Sequence, residues 1–128
     1  MKLQGLSLFS NVGIAEIFLE KIGVDIVLAN EILKNRVKFY KEIYPKTDVI
    51  CGDIRKNNVF NEIIKKSKTN KIDFILTTPP CQGMSTAGKK DKNDPYKNDE
   101  KIIVQMYRAI RHINFRPVFH YSTIHKLI

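Results

Sequence analysis

The sequence predicts an α/β fold: one open parallel sheet with helices on both faces, ending after a fourth or fifth strand. Three observations predict it. Apolar runs of strand length alternate four times with segments whose apolar residues recur at helical spacing. The connections are too long for hairpins, so the strands should run parallel. The runs are almost wholly apolar, as strands covered on both sides are.

The elements follow in order. Leu3 to Phe9 reads as a short buried strand, and Ser10-Asn11-Val12-Gly13 as a turn with capping chemistry. Ile14, Ile17, Phe18 and Ile22 recur at helical spacing, which predicts a helix from about Gly13 to Ile22, stopped by Gly23. Val24 to Ala29 is a second strand. Leu33, Val37 and Tyr40 mark a second helix, halted before Pro45. Asp48 to Cys51 is a third strand. Val59, Phe60, Ile63 and Ile64 define a third helix that should dissolve into Lys65 to Lys71. Ile72 to Thr77 is a fourth strand, and Met84 to Lys97 is polar and expected to be mobile. Ile103, Met106, Ile110 and Ile113 give a fourth helix, and Val118 to Tyr121 a candidate fifth strand.

The 128 residues suffice for one domain with a real core, without repeats or a linker. No apolar run approaches the roughly 20 residues of a membrane span. Met1 to Gly5 leads into a short apolar segment without a cleavage site, so no signal peptide is expected and the chain should be cytoplasmic. Cys51 and Cys81 form no CxxC pair and read as free thiols. Cys51 nearly lies within an apolar strand, as a structural cysteine does. His112, His120 and His125 lack metal-ligand spacing, so no metal is expected.

Lys and Arg outnumber Asp and Glu by 22 to 13, a net charge of +9. That excess favours a polyanionic partner, although a Lys-, Ile- and Asn-rich coding bias produces the same number. No acid occurs after Glu100, while Lys101, Arg108, Arg111, Arg116 and Lys126 do.

Ligands of open α/β sheets sit beyond the carboxyl ends of the strands. Ser10 to Gly13 follows the first strand; as the start of a helix it would offer free N–H groups to an anion, with Gly13 allowing close approach, or else is an ordinary helix start. Glu31, after the second strand, is placed to accept from ribose hydroxyls, or else is a first-turn acid favoured by the helix dipole. Asp53, after the third, is placed to accept from an adenine amino group, or else is a turn residue after Gly52. Three such signals at successive strand ends suggest an adenosine pocket. With no full GxGxxG, an adenosine bearing a small zwitterion fits better than a dinucleotide. After the fourth strand comes Thr78-Pro79-Pro80-Cys81-Gln82-Gly83. The prolines fix φ and reduce the entropy lost in holding the thiol still. Such a loop suits a nucleophile, the alternative being a bystander thiol.

At Pro79-Pro80-Cys81-Gln82-Gly83 the chain resembles the N-terminal part of a DNA (cytosine-5) methyltransferase, an S-adenosylmethionine enzyme of Rossmann-like fold. The resemblance covers about residues 3–113, leaving 114–128 as a divergent tail. It implies S-adenosyl-L-methionine as cofactor and double-stranded DNA as partner, in a restriction-modification setting. It places Phe9, Ser10, Asn11 and Gly13 in the cofactor loop. Glu31 and Ile32 fall at the ribose, Asp53 and Ile54 at the adenine, and Pro79 at the cofactor. Cys81 would add to C6 of an extruded cytosine, with Pro80 holding it and offering its carbonyl to the base. Asn11 and Ile14 replace two glycines usual in the family's first loop. The family's Glu-Asn-Val segment, arginine-rich motif, target-recognition region and last helix are not found here. The chain is therefore expected to be a partial methyltransferase domain spanning 1–128, truncated, inactive alone or split. A complementing second chain is one expected partner. The alternative is a non-catalytic S-adenosylmethionine- or nucleic-acid-binding remnant.

Overall fold

A computed structural model describes residues 2–79 and 101–113. Pro80, Cys81, the polar stretch 84–97 and the strand expected at 118–121 lie outside them. The elements are β1 (Leu3–Leu8), β2 (Val24–Glu31), α1 (Lys34–Ile43), β3 (Asp48–Cys51), α2 (Asn57–Thr69), β4 (Phe74–Thr77) and α3 (Lys101–His112). The four strands form one sheet in the order β3-β2-β1-β4, and every neighbouring pair is parallel. The chain builds outward from β1 through β2 to β3, then returns to place β4 on the other side of β1. Strand order therefore reverses between β1 and β4, the usual place for a ligand crevice in open α/β sheets.

The two-residue strand period distributes side chains between two cores. Leu6 and Leu8 of β1, Leu28 of β2 and Ile50 of β3 join the main cluster. Val59, Phe60 and Ile63 of α2 cover it, together with Ile102, Met106 and Ala109 of α3. The alternate residues Ala29 and Val49 meet Val37 and Tyr40 of α1 on the opposite face. Each fully buried leucine or isoleucine contributes about 1.5–3 kcal/mol over its exposed state. The double coverage explains why the strands read as continuous apolar runs. Among the described residues no helix is long and apolar enough to cross a membrane.

Three expectations need correction. The helix expected from Gly13 to Ile22 is a series of turns ending in a 3-10 turn, Glu20–Ile22. Its backbone bonds join residues three apart, such as Leu19 N–H to Glu16 O at 3.0 Å and Gly23 N–H to Glu20 O at 3.2 Å. Ile14, Ile17, Phe18 and Ile22 are 71, 55, 68 and 73% exposed. A short helix draws its stability from packing its apolar face, and among the described residues nothing covers these side chains. Gly23 does end the segment, in the left-handed region at φ 87°. The third helix, expected to dissolve at Lys65, instead continues to Thr69. Ser67 is fully buried, and Lys66 reaches Asp48 at 2.7 Å and Glu62 at 3.2 Å, so the last turn stays docked. Cys51 is exposed at the end of β3, its Sγ 3.9 Å from the Ile32 carbonyl oxygen.

Candidate cofactor and catalytic site

The carboxyl ends of the four strands are stitched together by polar groups. Ser10 N–H donates to Asn30 O at 3.1 Å, joining β1 to β2. Thr78 N–H reaches Leu8 O at 3.3 Å, and its hydroxyl donates to Phe9 O at 3.0 Å, joining β4 to β1. The Asn30 side-chain amide donates to Ile50 O at 2.9 Å and Gly52 O at 3.0 Å, joining β2 to β3. Gly52 N–H returns to Glu31 O at 3.0 Å.

Glu31, the last residue of β2, is 2% exposed. Its Oε2 accepts from Asn11 N–H at 2.8 Å and its Oε1 from Leu33 N–H at 3.2 Å. Arg36 stands 3.8 Å away. An ionised carboxylate offers about four acceptor sites, so these two hydrogen bonds leave capacity for a diol. The acid also carries the structural role that its alternative reading gave it, holding the start of α1. In addition it ties down the first loop through Asn11.

That loop is conformationally demanding. Phe9 and Asn11 have φ of 57° and 53°, and Gly13 has 83°. Asparagine tolerates the left-handed region better than most residues, which accounts for its presence where the resembling family usually has glycine. A Cβ on Gly13 would lie 2.3 Å from the Tyr44 ring and 2.9 Å from that of Tyr40. The close approach expected at Gly13 is thus made by two tyrosines of α1 and its C-terminal boundary. Tyr44 hydroxyl also donates to Gly13 O at 2.6 Å. With no helix starting here, the helix N-terminus expected to attract an anion is not formed.

Behind the loop lies a buried cluster of polar side chains that the sequence did not announce. Ser7 hydroxyl donates to Glu16 Oε1 at 2.5 Å, and both residues are buried. Burial drives the Glu16 carboxyl above the usual carboxylate range, against the opposing hydrogen bond from Ser7. Burial, followed by the nearby Glu16 charge, pushes the Tyr40 and Tyr44 phenols upward. The one sequence signal for this cluster was a serine between two leucines of β1, Leu6-Ser7-Leu8.

Asp53 is only partly buried, and its carboxylate is committed to Arg55. The Arg55 backbone N–H and Nε reach Oδ1 at 2.9 and 2.8 Å, while Nη2 reaches Oδ2 at 2.7 Å. Burial pulls this carboxyl upward, but the Arg55 hydrogen bonds and charge outweigh it and hold it below its ordinary value. An adenine amino group would have to share Asp53 with Arg55. Ile54 is 1% exposed in the main core, and its carbonyl accepts from Gln105 Nε2 of α3 at 3.2 Å. Phe9 is 5% exposed in the same core, with Ile32 packed against it. Ser10 is buried with its hydroxyl unpartnered, and Pro79 is half-buried just beyond β4. The structure therefore brings Phe9, Ser10, Asn11, Gly13, Glu31, Ile32, Asp53, Ile54 and Pro79 to one rim of the sheet. Asn30, Tyr44, Arg55 and Gln105, which position them, were not singled out from sequence.

A parallel α/β sheet with acids at the ends of β2 and β3, and a Pro-Cys-Gln sequence after β4, is the arrangement on which the comparison with known proteins bears. A family model for C-5 cytosine-specific DNA methylases matches residues 3–119, and the chain belongs to that family. The type II methyltransferase M1.HgaI of Avibacterium volantium is 45% identical over 117 residues, covering 91% of this chain and 33% of that protein. The tRNA (cytosine(38)-C(5))-methyltransferase of Spodoptera frugiperda is 29% identical, covering 86% of this chain and 32% of that one. The crystal structure of a Spodoptera frugiperda DNMT2 mutant shares the fold with a TM-score of 0.63 at 24% identity, over 96% of this chain and 38% of the other. The chain thus spans about a third of the length of these relatives.

Proposed function

We propose that this chain is the donor-binding and nucleophile-bearing part of a DNA (cytosine-5) methyltransferase acting in a restriction-modification system. The observation that carries the reading is the position of Pro79-Pro80-Cys81-Gln82. It follows β4, the strand that pairs with β1 on the side away from β2 and β3, whose ends carry Glu31 and Asp53, so the two sets flank the end of β1. DNA is favoured over tRNA because the type II relative is 45% identical and the tRNA-modifying one 29%. The +9 charge suits either polyanion.

S-adenosyl-L-methionine, when bound, supplies an electrophilic methyl group. The residues present fit it at the ribose, where Glu31 has acceptor capacity left after Asn11 and Leu33. Ile32, Ile54 and Phe9 form the apolar ground of the adenine position, and Ser10 to Gly13 and Pro79 border the remainder. Asp53 takes part through the turn that Arg55 stiffens.

Cytosine C5 is a weak nucleophile. Cys81, as the thiolate, forms a bond to C6, and the ring electrons displaced by that addition make C5 nucleophilic. Loss of the C5 proton and of the thiolate later restores the ring and the enzyme. The base must leave the duplex first, because C6 is not reachable within the stack. Pro80 restricts the loop that carries the thiol. The acid that would hydrogen-bond N3 comes from the two thirds of the relatives' length outside the match. A complementing chain or segment is therefore part of the proposal, and the isolated chain is expected to bind donor weakly without turnover.

The test is adduct trapping on duplexes containing 5-fluorocytosine, with S-adenosylmethionine present. The chain is assayed alone and mixed with the C-terminal two thirds of an M1.HgaI-type enzyme. The expected result is a covalent protein–DNA species in the mixture that disappears in Cys81→Ser. A mixture that methylates duplex DNA equally well with Cys81→Ser contradicts the nucleophile assignment. Donor binding without any adduct in the complemented mixture favours the non-catalytic reading instead.

A further inference from the structure

Asn30 is 2% exposed, the last residue but one of β2, and no role in the site falls to it from sequence. Asparagine is a poor strand former, so its presence inside a parallel sheet requires a reason. One hydrogen of its side-chain nitrogen goes to a carbonyl of β3, Ile50 O at 2.9 Å, and the other to the turn after it, Gly52 O at 3.0 Å. Turning the amide over would set its oxygen against two carbonyl oxygens, so the partners fix its orientation. Its own backbone carbonyl accepts from Ser10 N–H at 3.1 Å. The ladder between β2 and β3 ends at Glu31 and Cys51. Beyond that point the turn bearing Asp53 is tied to β2 by the Asn30 amide and by Gly52 N–H to Glu31 O. On its other side Gly52 is closely bordered by α2, since a Cβ there would lie 2.7 Å from Val59.

We propose that Asn30 is a positioning residue that sets the spacing between Glu31 and the Gly52–Ile54 turn, and so the width of the slot for an adenosine. This rests on the donor-binding reading above. The mechanism demands a side chain of this length with two hydrogens on one nitrogen, which no other residue supplies. Aspartate in its place would press an anion against two carbonyl oxygens and drive the turn outward. When protonated it would donate to one of them and restore half of the clamp.

Asn30→Asp and Asn30→Ser are compared with the natural chain by two readouts. Calorimetric titration with S-adenosylhomocysteine is run near pH 8 and near pH 5.5. Amide exchange is followed at 52–54, with the α2 amides as the internal reference. Asn30→Asp should weaken binding by about tenfold or more near pH 8 and by less near pH 5.5, relative to the natural chain at each pH. Exchange at 52–54 should accelerate while α2 is unchanged. Should Asn30→Asp lose protection throughout the chain, Asn30→Ser, which keeps one donor and no charge, is judged by the same two readouts. Unchanged exchange at 52–54 overturns the clamp. Faster exchange with unaltered binding overturns its role in the slot. If the natural chain takes up no S-adenosylhomocysteine at all, the donor-binding reading fails, and exchange at 52–54 alone decides whether the clamp exists.

Discussion

Gly13 shows how one atom's space can carry an element. Its left-handed φ and its contact with the Tyr40 and Tyr44 rings both exclude a side chain. Gly13→Ala should therefore destabilise the chain by about 2–5 kcal/mol in urea unfolding, combining overpacking with backbone strain. Glu16 lies beneath the same loop. Its carboxyl is raised by burial, so its stabilising contribution is present in full below its unfolded value near 4.5 and is lost as pH rises through the folded value. Glu16→Gln should thus be more stable than the natural chain at pH 8, with the difference closing towards pH 4.5. Urea midpoints across that range measure it, and parallel curves would contradict the assignment. The acids Glu31 and Asp53 were legible because they stand at strand ends, a place that a one-dimensional pattern marks. Asn30, Arg55 and Gln105 were not, because their partners are backbone carbonyls or a local carboxylate and leave no periodic trace.

Among the elements, apolar spacing identified β1 to β4 and α1 to α3 to within a few residues, because residues such as Leu6, Leu28, Val37, Ile50, Ile63 and Met106 are buried where that spacing places them. The segment 13–22 carries an equally good helical pattern and is not a helix. Spacing shows only that an apolar face would form, and Ile14, Ile17, Phe18 and Ile22 have nothing among the described residues to cover them. Three-apart turn bonds and the Glu16–Ser7 anchor set this segment's shape instead. Hydrogen exchange should show amides 14–18 exchanging about a hundredfold or more faster than those in the middle of α2. Equal protection would mean that a regular helix forms there in solution. The expectation that a helix starts at the first loop fails for the same reason. Its glycine, read as room for a ligand, is room for Tyr44.

At the scale of the molecule, four exposed large apolar residues on one short segment form a surface that tends to associate. Ile17→Ser combined with Phe18→Ser should shift a self-associating sedimentation profile of the purified chain towards monomer, without lowering its urea midpoint. A monomeric profile of the natural chain at high concentration would contradict this. The fold class was readable because alternation, strand length and connection length leave few topologies open. The assembly of the slot was not, since it depends on which strand ends lie side by side.

We propose that the rim between β1, β2 and β3 holds the adenosine of a methyl donor. Calorimetric titration of the purified chain with S-adenosylhomocysteine tests it most directly. A saturable one-to-one isotherm, displaced by adenosine and lost in Glu31→Ala, is the predicted result. A folded chain that gives no saturable heat up to about 1 mM ligand, or an isotherm indifferent to Glu31, would contradict it.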